Sequence, residues 1–240
     1  MEIQIAIAKI NKFASSESGD TVEAVERPNG GVSVVLSDGQ STGRGAKTIS
    51  SMAARKVISL IADGVRDGAA ARAASDYLYT ERSGKDSAYL NILSADLQSG
   101  TLVITRNNPA PVFIAQNDHI ECLSSECSPI GTSRNIRPAI SEFQLEAGTT
   151  AVVYTDGLMH AGVRYGQFLD VCTLLKAILE DQDPTSQDIA DALLTEAIRI
   201  DQGRPIDDMS VVVLRVLSGL DDPIRRMTIR MPMPPNLPIA

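Results

Sequence analysis

The chain has 240 residues, 43% of them hydrophobic and 22% charged, enough apolar material for one sizeable core or two small ones. With 22 Lys+Arg against 30 Asp+Glu the net charge is -8, and no Lys/Arg block interleaved with aromatics occurs, so no nucleic-acid partner is expected. No apolar run approaches the roughly 20 residues of a membrane span, and the opening MEIQIAIAKINKF lacks a basic n-region and a small-residue cleavage site, so a cytoplasmic protein with no membrane partner is expected.

In chain order, Ile3, Ile5 and Ile7 alternate with smaller or polar neighbours, the period of a half-buried strand. Thr21 to Arg27 and Gly31 to Leu36 read as a hairpin across the turn Pro28-Asn29-Gly30. From Thr42 the period changes: Ala46, Ile49, Ala53, Val57 and Leu60 form one helical stripe that stops near Gly64. Asp67 is then expected to N-cap a second helix through Ala70, Ala74 and Leu78, closed by Gly84. Strands return at Ser87 to Asp96 and Thr101 to Arg106 around the turn Leu97-Gln98-Ser99-Gly100, then at Pro111 to Gln116 with a hairpin toward Ile120. Phe143, Leu145 and Thr150 to Tyr154 continue the series. Leu169 to Leu179 and Ile189 to Ile200 have helical periodicity, the latter capped by Ser186, and Met209 to Leu217 is a last β-branched strand. Strands before and after two helical pairs predict an α+β sandwich rather than alternating βαβ units. The segment Asp221 to Ala240 is rich in Pro, Met and Arg and is expected to be a tail, giving a domain over 1–218 and a tail over 219–240. Cys122, Cys127 and Cys172 are odd in number and lack zinc-knuckle spacing, so reduced structural thiols are expected.

Three acidic motifs share a context at the ends of apolar strands. They are Val34-Val35-Leu36-Ser37-Asp38-Gly39, Val152-Val153-Tyr154-Thr155-Asp156-Gly157 and Ile206-Asp207-Asp208-Met209-Ser210. Strand ends hold a side chain firmly yet leave it at a rim, and hard cations such as Mg²⁺ and Mn²⁺ take oxygen ligands there. Asp-Gly after a strand is also an ordinary turn signal, so either Asp-Gly copy alone reads as a turn, and each of the three motifs taken singly is weak.

Taken in order, Ser18-Gly19-Asp20, the run Ser37-Asp38-Gly39-Gln40-Ser41-Thr42-Gly43-Arg44-Gly45-Ala46, Tyr154-Thr155-Asp156-Gly157 and Asp207-Asp208-Met209-Ser210 resemble the PPM (type 2C) metal-dependent protein phosphatases. The resemblance is strongest to the bacterial branch of sporulation stage II E and stress-response partner-switching phosphatases. Asn107-Asn108-Pro109-Ala110-Pro111 and Ser128-Pro129-Ile130-Gly131 also resemble that branch, and the likeness covers residues 1 to 217. It implies two packed antiparallel sheets flanked by helix pairs, and hydrolysis of phosphoserine or phosphothreonine on a protein. It also implies two divalent cations, Mn²⁺ or Mg²⁺. By the same resemblance Asp38 bridges both cations, the Gly39 carbonyl binds one, Asp156 and Asp207 complete the other's shell, and Asp20 acts mainly through an intervening water. Asp38, Asp156 and Asp207 are thus the expected catalytic carboxylates, while Asp208 stands beside Asp207 as an alternative ligand that spacing does not separate from it. The implied partner is a phosphorylated STAS-type anti-sigma-factor antagonist or stress-complex protein.

The chain departs from many relatives in having Gln40-Ser41-Thr42 where a His follows the first Asp-Gly, and no Arg precedes Asp20. Lys9, Lys12 and Arg44 are weak candidates for gripping phosphate, and His160, four residues after Asp156, could approach the metals but is expected to be a solvent-facing or structural residue. The helices after Gly43 and Asp67 resemble the family's movable switch helices, and regulation is expected from binding or metal occupancy. The alternative reading is a catalytically weak phosphatase-fold module that binds a regulatory partner.

Overall fold

A computed structural model of the chain describes residues 1–41, 43–181, 183–219 and 224–232. It contains ten strands in two sheets. The strands are β1 (Glu2–Ile10), β2 (Asp20–Glu26), β3 (Gly31–Gly39), β4 (Ala88–Asp96), β5 (Thr101–Asn107), β6 (Val112–Gln116), β7 (His119–Leu123), β8 (Ala139–Gln144), β9 (Thr150–Tyr154) and β10 (Met209–Leu217). The helices are α1 (Arg44–Ala62), α2 (Asp67–Arg82), a single turn α3 (Asp156–Met159), α4 (Val171–Asp181) and α5 (Ser186–Ile200). One sheet runs β1-β10-β9-β6-β7 and the other β2-β3-β4-β5-β8, with every described pairing antiparallel.

Three apolar layers explain why this order is stable. Between the sheets, Val34, Leu36, Leu93 and Ile104 meet Ile114, Val153, Val212 and Leu214. On the outer face of the second sheet, Val35, Leu90 and Ile92 pack under Ile49, Ala53, Val57 and Leu78 of α1 and α2. On the outer face of the first, Val152, Val211 and Val213 pack under Leu175, Leu193 and Ala197 of α4 and α5. Val34, Val35 and Leu36 therefore all lie buried because β3 has protein on both faces, so it reads as a continuous apolar run and not an alternating one. Each such side chain contributes about 1.5–3 kcal/mol relative to exposure. The expected α+β sandwich with helix pairs on its outer faces is the observed one.

Two caps differ from expectation. Arg66, not Asp67, is the N-cap residue of α2, and Asp67 opens the helix with its carboxylate 2.7 Å from the Arg27 guanidinium. Both Arg27 and Asp67 side chains are largely buried, and the Asp67 carboxylate is turned to Arg27 through Oδ1 without capping the helix. At α5 the cap is Thr185, one residue before Ser186: its hydroxyl accepts from the Asp188 N–H while the Asp188 carboxylate accepts from the Thr185 N–H, a reciprocal capping box. Thr42, expected at the start of α1, lies outside the described residues; Gly43 caps that helix.

No helix among the described residues is long and apolar enough to cross a membrane. Residues 224–232 contain no helix or strand, and the remainder of the expected tail, 220–223 and 233–240, lies outside the described residues. The Arg225–Glu26 ion pair that ties this segment to β2 is 84% and 63% exposed, a class of contact that contributes at most about 1 kcal/mol. Deleting residues 221–240 is accordingly expected to leave the thermal midpoint within a few degrees and the turnover of a small phosphate ester intact. Insolubility or a far lower midpoint would make the tail part of the fold.

Candidate active site

The expected acidic residues arrive at one rim of the sandwich from four places in the chain. Asp20 begins β2 and stands opposite Asp38 near the end of β3. Asp156 opens α3 directly after β9, and Asp207-Asp208 precede β10, the neighbour of β9. Asp38, Gly39, Asp156, Asp207 and Asp208 line a cavity of about 80 Å³ with Lys12 and Gly19.

Two glycines allow this convergence. A Cβ on Gly39 would stand 2.1 Å from the Ala46 carbonyl oxygen, so the end of β3 touches the first turns of α1 backbone to backbone. A Cβ on Gly157 would stand 2.1 Å from the Asp208 carbonyl oxygen, so α3 lies in the same way against the segment of Asp207 and Asp208 that leads into β10. Any larger residue would push the Asp38 and Asp156 supports away from their neighbours.

Asp20, buried opposite Asp38, also joins the two sheets. Its Oδ2 accepts from the Ser210 hydroxyl at 2.6 Å and the Thr155 hydroxyl at 3.1 Å, both on the opposite sheet's side, and its buried Oδ1 has no protein partner. The ammonium groups of Lys9 and Lys47 donate to the Asp20 carbonyl at 3.0 and 2.8 Å. Asp208 is similarly engaged: its two oxygens accept from the Lys12 and Gly19 backbone N–H groups at 2.9 and 2.8 Å. Asp207, by contrast, is the most open of these carboxylates, with Oδ1 accepting from the Asp208 N–H. Asp38 accepts from the Gln40 side-chain amide at 2.9 Å.

Crowding these carboxylates has an electrostatic cost. Burial, then the charges of Asp20 and Asp156, push the Asp38 carboxyl up to about 9. Burial raises Asp20 to about 7 against the opposing pull of its Ser210 hydrogen bond, and burial also raises Asp207. A partly buried, all-oxygen donor set with surplus negative charge and an unpartnered buried Asp20 oxygen fits hard divalent cations. As placed, no three acidic, His or Cys side chains among the described residues already surround one point as ligands. What the fold supplies is a common cavity and the charge.

Of the weaker candidates, only Lys12 lines the cavity. Arg44 is on the exposed side of α1, and His160 is exposed one residue past α3. Thr155, Ser210, Lys47 and Gln40 were not singled out as functional by the sequence reading. Thr155 and Ser210 sit inside the quoted motifs, and a Ser or Thr beside each strand-end carboxylate was the available signal.

The fold is that of PP2C phosphatase structures. The PP2C phosphatase domain of SpoIIE from Bacillus subtilis superposes with a TM-score of 0.74 at 23% identity, over 90% of this chain and 64% of that one. The Mycobacterium tuberculosis serine/threonine phosphatase PstP does so at 0.69 and 15% identity, over 90% and 99%. PstP has also been solved with two manganese ions, and RsbX, similar at 0.68 and 13% identity over 89% of this chain and 95% of that one, with magnesium. The chain belongs to the stage II sporulation protein E (SpoIIE) family, whose profile matches residues 28–217. Stage II sporulation protein E of Bacillus subtilis is 26% identical over 200 residues, and that of Priestia megaterium 23% over 215. These matches cover 83% and 89% of this chain but only 24% and 36% of the relatives' own length.

Proposed function

We propose that the chain is a metal-dependent protein serine/threonine phosphatase that hydrolyses phosphoserine or phosphothreonine on a partner-switching regulator, a phosphorylated STAS-type protein. The observation that carries this reading is the meeting of Asp38, Asp156 and Asp207 at one cavity, with Asp38 driven up to about 9 by burial and its acidic neighbours. Two divalent cations, Mn²⁺ or Mg²⁺, would be held by Asp38, the Gly39 carbonyl, Asp156 and Asp207. When bound they supply positive charge for the phosphoryl oxygens and a template for in-line attack by water. The reaction consumes one water and yields the free hydroxyl and inorganic phosphate.

The residues' own tasks follow from their surroundings. Asp38 is kept in place by Gln40 and by the Gly39 contact with α1. The two backbone N–H bonds on Asp208 support Asp207 as the ligand and Asp208 as the residue that positions it. Asp20 fixes the spacing of the two sheets under the cavity through Ser210 and Thr155. Lys12 is the cation at the cavity for a phosphate oxygen, as a point charge. This reading puts the protein in the cytoplasm, where Cys122, Cys127 and Cys172, all unpaired, would remain reduced.

Turnover of p-nitrophenyl phosphate and of a phosphoserine STAS protein, each in Mn²⁺ and then in EDTA, tests the reading. Both reactions are expected with Mn²⁺, to vanish in EDTA and to return when Mn²⁺ is restored. A melting point that rises with Mn²⁺ without any turnover would instead favour a partner-binding module. Turnover that ignores EDTA would overturn the metal-dependent mechanism.

A further inference from the structure

A second cavity, of about 690 Å³, runs along the outer side of α1. Four cations line it, Arg44, Lys47, Arg55 and Lys56, against the single carboxylate of Glu17 among its lining residues. That is the reverse of the chain's own balance, a net charge of -8. Two of the cations are held in place by the protein: the Lys47 ammonium donates to the Asp20 carbonyl and the Thr21 hydroxyl, and the Lys56 ammonium stands 5.6 Å over the Tyr77 ring. Arg55 is 77% exposed, and its ion pair with Glu23 spans 3.9 Å.

The groove also begins where the carboxylate cavity ends. Gly43 and Ala46 wall the cavity, while Arg44 and Lys47, on the same helical turn, open the groove. From Arg44 to Arg55 is about 17 Å along a helix, the reach of about five residues of extended peptide.

We propose that this basic groove along α1 binds an acidic segment of the protein substrate lying about three to eight residues from its phosphorylated side chain. The proposal rests on the phosphatase reading for the identity of the substrate, but the charge complementarity stands on the groove itself. Acidic residues on the substrate would pair with Arg55 and Lys56 while the phosphoryl group sits at the cavity. Specificity is then a rim effect, felt in KM and in salt dependence rather than in the chemical step.

The test uses phosphoserine peptides with acidic, neutral or basic residues in that window, on either side, and the Arg55→Glu/Lys56→Glu double variant. Two exposed charge pairs made repulsive correspond to about a tenfold change in affinity. The wild type is expected to prefer one acidic peptide about tenfold over the neutral one at low salt, with the preference fading as salt is added. The variant should lose that preference through KM, with kcat, p-nitrophenyl phosphate turnover and melting point kept. In parallel, fluorescence anisotropy with the unphosphorylated acidic peptide and metal-free protein reads the groove without any turnover. Wild-type binding about tenfold tighter than the variant's is the expected result, even should p-nitrophenyl phosphate prove not to be hydrolysed, which would sink the phosphatase reading alone. Equal binding of acidic and neutral peptides, an undiminished preference in the folded variant, or a preference for phosphatidylserine vesicles over the peptide overturns the groove's assignment.

Discussion

Asp38→Asn is expected to abolish turnover, by on the order of a thousandfold or more, while leaving a protein that is folded and, without metal, more heat-stable than the parent. Losing one anionic oxygen from the cavity removes several kcal/mol of the charge that would offset two dications, which is a thousandfold in rate at about 4 kcal/mol. The metal-free fold disfavours that charge, first through burial and then through the fields of Asp20, Asp156 and Asp207. Its carboxyl titrates near 9 in the fold, against about 3.9 in an unfolded chain. The folded state therefore binds the proton more tightly, and metal-free stability should fall as pH rises from about 4 to 9. Asparagine does not titrate, so the variant's advantage should grow as pH rises toward 9 and shrink toward pH 5. Differential scanning fluorimetry with and without Mn²⁺ reads both effects: the parent's midpoint should climb with Mn²⁺ and the variant's should not. A variant that cleaves phosphoserine at near parental rate would remove Asp38 from the mechanism.

Gly39→Ala is expected to be nearly as damaging, although it adds only a methyl group. The new Cβ would lie 2.1 Å from the Ala46 carbonyl oxygen and 2.7 Å from its carbon, and a backbone cannot rotate aside as a side chain can. Either α1 lifts or the end of β3 bends, at a cost of about 3 kcal/mol, equivalent to about 6–12 °C in a domain of this size. Both escapes move Asp38, so Mn²⁺-dependent turnover should collapse with the midpoint. Gly100→Ala is the control. Nothing lies within 4 Å of its added Cβ, and the cost is the left-handed backbone alone, about 1 kcal/mol. If Gly39→Ala melts and turns over like Gly100→Ala, the contact between β3 and α1 does not hold the site.

How much of this was legible in the sequence depends on the range of each interaction. Strands such as β3 and β10 were readable because β-branched runs bounded by Gly and Asp leave little else to form, and α1 because Ala46, Ile49, Ala53 and Val57 repeat at helical spacing. The single turn α3 was not, since four residues carry no period and Asp156-Gly157 reads as a plain turn. Asp67 was misread as a cap because its partner Arg27 lies 40 residues away. The Asp20 link to Thr155 and Ser210 spans 135 and 190 residues, so local pattern could show the residues but not their contact. The basic groove was within reach: Arg44, Ser51 and Arg55 are spaced at seven and four along one helix, and a helical projection would have gathered them.

The pairing of β1 with β10 sets the order in which the molecule can be made. Among the described residues β1 is an edge strand whose one sheet neighbour is β10, matched from Glu2 against Leu217 to Ile10 against Met209. Sheet β2-β3-β4-β5-β8 is complete once residue 144 has been synthesised, but β1 must wait for the last strand. At typical translation speeds of about 5–20 residues per second, that is a wait of about 10–40 seconds. During it Ile3, Ile5 and Ile7 have no sheet to join, and the nascent chain carries an unpaired apolar strand until β10 arrives.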